Sequence, residues 1–207
     1  MLLTYSCKDL PSDSITDDDV YSILAVNYNA ITNKTKGTAV FYRGSDTKTQ
    51  IVFNEKAKLT FNESPLEKQT NNYYTNEIVG FYQTSTFKII DVNNKQFVNT
   101  IGTYDISLPS VDTVVSSQAW TLIWNSNKTV LDSGEIVTVH IGEQQYTQDT
   151  VGAISILIAA SEFLTKKGKT FTVYIERRKT QHLEQDLGGG GNIYVVYSSR
   201  SRNVFFK

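Results

Sequence analysis

The sequence predicts a mainly β protein, an antiparallel β-sandwich with one or two short helices. Aromatic residues make up 12% of the chain, with 12 Tyr and 10 Phe, while Pro occurs only three times. Aromatic and β-branched side chains suit a pleated, half-buried surface. A second observation is a repeat: Gly134–Ile141 returns 34 residues later as Gly168–Ile175. Both copies read Gly, two variable residues, a hydrophobe, Thr-Val, a ring-bearing residue and Ile, which indicates two strands that each begin at a turn.

A polar arm at residues 1–16, which includes Pro11, precedes the first predicted element. A helix is predicted over residues 17–31, because Thr16 and Asp19 fit a capping box and acidic residues favour the first helical turn. A strand through Tyr21, Ile23 and Ala25 is the alternative that we weigh against it. The apolar residues at helical spacing are Val20, Ile23, Leu24, Tyr28 and Ile31.

Strands joined by turns are predicted for the rest of the N-terminal half. A hairpin spans 38–53 with its turn at Gly44-Ser45-Asp46, and a second spans 86–101 with its turn at 93–96. Residues 62–76 are rich in turn formers and are interpreted as a long surface loop. Pro109 cannot donate to a sheet ladder, so we place a boundary there. The predicted units are the arm 1–16, a β-rich domain 17–109 and a sandwich domain 110–207, with a single domain as the alternative.

The segment 151–164 fits two patterns. Its apolar spacing, closed by Lys166-Lys167-Gly168, is typical of a helix, so a helix at 150–166 stays open. Ile154, Ile156 and Ile158 alternate and are β-branched, which slightly favours a strand. Four glycines at 188–191 indicate a flexible hinge or wide turn before a strand at 192–197.

The second half contains Trp120, Leu131-Asp-Ser-Gly134 before a Val-Thr-Val-x-Ile strand, and Phe171-Thr-Val-Tyr-Ile175. With these motifs, residues 111–207 resemble the immunoglobulin-like sandwich modules of bacterial surface proteins and phage virion proteins. The resemblance implies an immunoglobulin-like or jelly-roll-like sandwich with an adhesive or architectural role. It brings no catalytic residues, and no Cys pair brackets Trp120.

The charged and reactive residues favour no enzymatic chemistry. Lys and Arg number 20 against 21 Asp and Glu, for a net charge of −1, so nucleic acid is not an expected partner. His140 occupies the position that Tyr174 holds in the second repeat copy, which favours aromatic packing over metal binding. His182 and Cys7 have no partners at ligand or nucleophile spacing. We therefore predict no enzyme, no catalytic or metal residues and no cofactor.

The expected function is that of a structural protein acting through protein–protein contacts. The sequence has no apolar run long enough for a membrane span and no signal-peptide pattern at its start. We expect a virion component made in the cytosol (a minor capsid, decoration or tail/connector subunit), in a homo- or hetero-oligomer, with a cytoplasmic protein as the alternative. The candidate partner contacts are Tyr73, Tyr74, Arg177, Arg178, Phe205 and Phe206.

Two further surfaces are candidates for ligands. The basic pieces 177–179 and 200–202 suit an acidic protein surface or a phosphate, although such charges often only solvate strand ends. A carbohydrate- or ligand-binding module is the alternative function. Its aromatic platform would come from Trp120, Trp124, Tyr73 and Tyr74, since Trp120 and Trp124 share one face of a strand.

Overall fold

The protein is mainly β, as the sequence predicts. The computed structural model describes residues 10–11, 20–44, 49–53 and 55–207. The predicted N-terminal arm, apart from 10–11, the capping box at 16–19 and the turn residues 45 and 46 lie outside these residues. The described strands are β1 (Leu10–Pro11), β2 (Val20–Asn29), β3 (Lys34–Arg43), β4 (Ile51–Val52), β5 (Lys58–Phe61), β6 (Ser64–Pro65), β7 (Glu67–Lys68), β8 (Tyr74–Val79), β9 (Thr84–Ile90), β10 (Gln96–Gly102), β11 (Thr113–Val114), β12 (Trp120–Ile123), β13 (Glu135–Ile141), β14 (Gln144–Gln148), β15 (Ser155–Ile158), β16 (Lys169–His182), β17 (Gly188–Ser198) and β18 (Arg202–Phe206).

A ten-stranded sheet runs through both halves of the chain. Its order is β11-β18-β16-β17-β2-β3-β8-β7, and β13 joins β16 and carries β14 at its edge. Most neighbours are antiparallel, but β17 pairs with β2 in parallel. The strands β17 and β18 pair with opposite ends of the 14-residue strand β16. The long strands β16 and β17 therefore form a hairpin that belongs to both halves of the molecule.

Two hydrophobic cores lie on one face of this sheet, which we call the inner face. A four-stranded sheet, β10-β9-β5-β6, covers the first core, and Phe61, Phe87 and Ile101 pack there against Leu24 and Phe41. The two-stranded sheet β12–β15 covers the second core, where Leu122, Ile156 and Trp124 pack against strands β13, β16 and β18. The protein is thus two sandwiches that share one broad sheet.

The change from one core to the other falls between Ile101 and Ile106. Residues from the C-terminal half nevertheless complete the first core, since Leu187, Ile193 and Val195 are part of it. The division into domains at 109–110 stays a prediction.

The predicted helix at 17–31 is wrong for its described part, because Val20–Asn29 is strand β2. Alternate residues of this strand, among them Leu24, Val26 and Tyr28, point to the inner face. The segment lies between β17 and β3 and completes a ladder with each. Pairing with a strand on each side stabilises the extended conformation of this segment more than the helical spacing of its apolar residues favours a helix.

The ambiguous segment 150–166 contains no α-helix. It forms strand β15 followed by a 3₁₀ helix at Ala160–Phe163, so the preference for a strand is confirmed at 155–158. Ile156 and Ile158 are buried while Leu157 between them is exposed. This period of two suits a strand over the second core.

The four glycines 188–191 are the start of strand β17 rather than a hinge. A Cβ at Gly191 would lie 2.1 Å from the carbonyl oxygen of Ser22, and one at Gly189 would lie 2.5 Å from the carbonyl carbon of Val20. The register against β2 shifts between Gly188 and Gly191. Glycine is needed here because the two backbones approach too closely for a side chain.

Candidate functional site: a cleft between the two cores

A cleft lies where the two sandwiches meet. The two covering layers leave a gap on the inner face, and this junction cleft has a volume of about 560 Å³. Clefts between packed units are common ligand sites. The cleft is lined by Tyr28, Ala30, Asn33, Ile106, Ser107, Leu108, Ser110, Asn125, Tyr197, Arg200 and Arg202.

Two tyrosine rings, Tyr28 and Tyr197, line one wall of the junction cleft, and the Phe81 ring packs against both. The ring centroids are 4.8 Å apart for Tyr28 and Tyr197, 5.1 Å for Tyr28 and Phe81, and 5.2 Å for Phe81 and Tyr197. Tyr28 follows Leu24 and Val26 along β2, and Tyr197 follows Ile193 and Val195 along β17, so both rings reach the inner face. The Tyr28 hydroxyl also donates to Asn33 Oδ1 at 3.1 Å. Mutual packing therefore holds this wall in place.

Two arginines give the junction cleft a positive charge. Arg202 is placed on the same side of β18 as the buried Val204 and Phe206, because side chains alternate along a strand. Arg200 is exposed, and its Nε donates to the Ala30 carbonyl oxygen at 3.4 Å. The Arg202 guanidinium makes no hydrogen bond or ion pair with any described residue, and the cleft-lining residues include no carboxylate.

The phenol of Tyr197 stays neutral at physiological pH. Burial raises its pKa to about 12, and the charges of Tyr28 and Asp105 add to this effect while Arg200 opposes it. Its hydroxyl has no hydrogen-bond partner in the described part of the chain. A neutral phenol can both donate and accept a hydrogen bond, so Tyr197 can serve either kind of ligand group.

Other polar side chains on the junction cleft are also available to a ligand. The backbones of Ser107 and Asn125 bond to each other at 2.8 and 3.0 Å, which positions both residues at the cleft. Within the described ranges, the side chains of Ser107, Ser110 and Asn125 have no hydrogen-bond partner. The Ile106 and Leu108 side chains are buried in the second core. The accessible lining is therefore mainly hydroxyl, amide and guanidinium.

Three of the six predicted partner contacts are buried. Tyr74 is 6% exposed, its ring packs against Phe41, and its hydroxyl accepts a hydrogen bond from the Phe53 backbone N–H at 2.8 Å. Phe206 is fully buried in the second core, and Arg177 is 1% exposed. These three side chains cannot contact a partner in this fold, because each faces the inner side of the sheet.

The remaining three predicted contacts are accessible but lie apart. Tyr73 is half-buried beside strand β8, and Phe205 is exposed on β18. Arg178 lies on the outer face of β16, 4.8 Å over the Tyr194 ring. The structure does not gather them into one surface, and their role as contacts stays a prediction.

The predicted tryptophan platform is not formed. Trp124 is 1% exposed, and its Nε1 donates to the Thr129 carbonyl oxygen at 2.7 Å. Trp120 packs against the second core. The even spacing of the two residues does place them on one face, but that face is the inner one.

A cluster on the outer face contains a serine, a carboxylate and a histidine. Ser198 Oγ donates to Glu176 Oε1 at 2.5 Å, and His140 Nε2 lies 3.1 Å from Glu176 Oε2. A serine nucleophile needs the imidazole on its own hydroxyl, whereas here both groups bind the carboxylate. The His140 ring stacks on Tyr174 at 4.1 Å with an interplanar angle of 5°, so the packing role predicted for His140 is confirmed.

No group of three or more His, Cys, Asp or Glu side chains in the described ranges is arranged to hold a metal ion. No helix in the same part of the chain has the length and apolar character to cross a membrane.

An exposed apolar patch lies on the small sheet over the second core. Leu157 is 68% exposed, Ile123 is 56% exposed and Ile154 is 47% exposed. Leu157 lies opposite Thr121, and Ile123 lies opposite Ser155. Ile123 and Leu157 lie on the outer side of β12 and β15 beside the polar Thr121 and Ser155, whereas Ile154 lies just before β15. We call these three exposed apolar residues the small-sheet patch.

No protein-family model matches this chain, and no curated protein matches it. The sequence had pointed to Arg200 and Arg202 as a basic piece, but not to the tyrosines, serines and asparagines beside them. Those residues come from separate segments of the chain, and no local pattern links them.

Proposed function

We propose that the protein is a non-enzymatic structural subunit of a larger assembly and acts through protein–protein contacts. The observation that carries this proposal is the small-sheet patch. Strands β12 and β15 pair only with each other among the described strands, so no described strand continues the ladder at either outer edge, although the Gln148 side chain of β14 donates to the Ser155 carbonyl oxygen. Ile123 and Leu157 are exposed beside these edges. Open edges and exposed apolar side chains are features that soluble monomers avoid and interfaces use.

The partner that we propose for the small-sheet patch is a second copy of the chain. A net charge of −1 leaves little repulsion between copies. An edge strand can pair with its own copy across a two-fold axis, which makes the contact self-complementary. Burying one Leu or Ile side chain contributes roughly 1.5–3 kcal/mol, so two such residues on each copy can supply a useful part of the association energy.

The specific form of subunit that we propose is a virion component, such as a minor capsid, decoration or tail/connector protein. The likeness of residues 111–207 to sandwich modules of surface and virion proteins supports this choice. The double sandwich adds support, because a broad shared sheet gives a rigid body with most of its surface free for neighbours.

The test is the association state of the full chain and of lysine variants in the small-sheet patch. Sedimentation velocity over a wide concentration range should show reversible self-association, and Ile123→Lys and Leu157→Lys should each weaken it. Val79→Lys is the matched control, because Val79 is 73% exposed on β8, outside the small-sheet patch. A monomer at every concentration, with no virion subunit co-purifying from the native source, would overturn the proposal.

Carbohydrate binding is the second function that we propose. The observation that favours it is the junction cleft rather than the tryptophans. Its accessible lining combines aromatic rings with unpaired hydroxyl and amide groups, which are the groups that recognise sugars through stacking and hydrogen bonds. A glycan array on which the full chain binds no glycan would contradict this function.

A further inference from the structure

We propose that the junction cleft binds an acidic monosaccharide, a single pyranose unit that carries one carboxylate, either free or as the terminal unit of a glycan. This inference rests on the second proposed function and names its ligand class. It does not depend on the association of copies through the small-sheet patch. Four properties of the cleft lead to it: its charge, its unpaired hydrogen-bonding groups, the character of its apolar lining and its size.

The charge of the junction cleft selects an anion. Arg200 uses its Nε on the Ala30 carbonyl oxygen, which leaves its terminal N–H groups for a ligand. Arg202 has all of its donors unused within the described ranges. A guanidinium matches a carboxylate in a paired, planar geometry. Because the described lining offers these arginines no carboxylate of their own, a ligand carboxylate can take that place.

The unpaired neutral groups select a ligand rich in hydroxyls. The hydroxyls of Ser107 and Ser110, the Asn125 amide and the Tyr197 phenol have no hydrogen-bond partner in the described chain. Asn33 Oδ1 accepts from Tyr28, which leaves its amide N–H groups directed to other acceptors. A sugar ring presents several hydroxyls that both donate and accept, so it can satisfy this set at once.

The apolar part of the lining argues for a sugar over an acidic peptide. Ile106 and Leu108 are 1% and 3% exposed, so they offer no pocket for an apolar side chain. The exposed apolar surface is instead ring surface from Tyr197, held by its packing against Tyr28 and Phe81. A flat ring of this kind suits the C–H face of a sugar, and its fixed position lowers the entropy lost on binding.

The size of the junction cleft matches a single sugar unit. Its volume of about 560 Å³ lies within the roughly 300–1,000 Å³ usual for small-molecule sites. An inorganic anion would leave most of this space and most of the hydroxyl and amide groups unused. The exposed lining residues Ser107, Ser110, Arg200 and Arg202 show that the cleft is open to solvent, which leaves room for a glycan chain beyond the terminal unit.

The test is titration calorimetry with the full chain and defined probes. The acidic probes are the methyl glycosides of N-acetylneuraminic acid and glucuronic acid, and the neutral probe is methyl galactoside. Sodium acetate and inorganic phosphate test for a simple anion site, and a Glu-rich peptide tests the peptide alternative. We expect at least one acidic glycoside to bind more tightly than every other probe.

Variants then tie binding to the arginines. Arg200→Gln and Arg202→Gln should each weaken the acidic glycoside roughly tenfold or more, because each removes a charge-assisted hydrogen bond. Arg178→Gln is the matched control, since Arg178 is an exposed arginine on the opposite face, and its affinity should equal that of the wild type. Ser107→Ala should weaken the glycoside but leave acetate binding unchanged.

The outcomes separate two claims, that the ligand is acidic and that the cleft binds carbohydrate at all. Equal binding of acidic and neutral glycosides overturns the acidic class and keeps carbohydrate binding. The assignment of a sugar as the ligand is overturned if phosphate, acetate or the peptide binds as tightly as the acidic glycoside. No binding by any glycoside overturns both this inference and carbohydrate binding. A glycan array distinguishes the sources, because a terminal acidic unit gives hits only on glycans that end in one.

Discussion

The Arg177 guanidinium and the Glu135 carboxylate form an ion pair of 2.6 Å in which both side chains are 1% exposed. Arg177 also donates to the carbonyl oxygens of Lys128 and Val130 at 2.5 and 3.1 Å, and Glu135 accepts from the Asp132 backbone N–H at 2.8 Å. The pair therefore ties the loop before β13 to the middle of β16. Its buried charges are balanced only while both partners are present.

Replacing Arg177 with Met should lower the free energy of unfolding by about 3–5 kcal/mol, because it leaves the Glu135 carboxylate buried without a counter-charge. Urea denaturation measures this change. The matched control is Lys34→Met, which removes the exposed 2.6 Å pair with Glu77 and should cost less than about 1 kcal/mol. The double variant Arg177→Met/Glu135→Leu should recover part of the loss, and equal midpoints for Arg177→Met and wild type would contradict a structural role.

Gly37→Ala should destabilise the first sandwich. A Cβ at Gly37 would lie 2.3 to 2.7 Å from atoms of the Phe61 ring, and that ring is fully buried. Overpacking of this kind costs about 1–3 kcal/mol, as thermal or urea unfolding would show. Phe61→Leu in the Gly37→Ala background should lose less than the sum of the two single changes. Gly102→Ala is the control, since its nearest neighbour, Gln83 O, would be 3.8 Å away.

Ser199→Ala should weaken the junction between β17 and β18. The Ser199 side chain is buried, and its Oγ accepts from the Ile175 backbone N–H at 3.0 Å. Ile175 lies on β16 between the part that pairs with β18 and the part that pairs with β17. Removing the hydroxyl leaves that buried N–H without an acceptor, at a cost of about 1–3 kcal/mol. Amide hydrogen exchange at Ile175 should accelerate. The exposed Ser201→Ala should leave both stability and exchange unchanged, and an unchanged Ile175 rate in Ser199→Ala would count against this bond.

Stability should fall at high pH because two tyrosines resist ionisation in the folded state. Burial, with the nearby Glu162 charge, raises the pKa of Tyr146 to about 12, and burial raises that of Tyr197 to about 12. An unfolded tyrosine ionises near pH 10, at about its reference pKa. The stabilisation is therefore complete below that pH and is lost as the pH rises through the folded-state value.

Melting temperatures from neutral to strongly alkaline pH check this prediction. The wild-type melting temperature should fall steeply in the alkaline range, and Tyr146→Phe and Tyr197→Phe should each make the fall shallower. Tyr82→Phe keeps the phenols of Tyr146 and Tyr197 and serves as the control. Parallel curves for all four proteins would show that these phenols do not control the alkaline transition.

The repeated stretch shows how far local patterns reach. The glycines that open the two copies, Gly134 and Gly168, have φ of 77° and 75°, as expected for turns that begin strands. The copies also pair with each other as β13 and β16, and this places His140 directly opposite Tyr174. The sequence predicted the strands and the equivalence of the two rings, but not their pairing, because pairing depends on residues far apart in the chain.

Position in the sheet decided the roles of several residues that the sequence misplaced. Arg177 and Tyr74 carry polar groups and were expected on the surface. Each lies instead on the inner side of its strand, where the Arg177 terminal N–H groups donate to Glu135 and to backbone carbonyl oxygens and the Tyr74 hydroxyl accepts from the Phe53 backbone N–H. A charge or a hydroxyl can be buried once its partners are provided by other strands, and no local pattern reports those partners.

The sequence alone determined that the chain is mainly β, where several of its turns fall and which residues repeat, because side-chain period and turn chemistry act over a few neighbouring residues. Only the tertiary structure decided that β2 is a strand, that one sheet serves two cores and that a cleft forms between them. These features arise from pairing between distant strands, such as β2 with β17. The segments that meet at the junction cleft are brought together by such contacts: β2 with β17 for Tyr28 and Tyr197, and the bridge to Asn125 for Ser107.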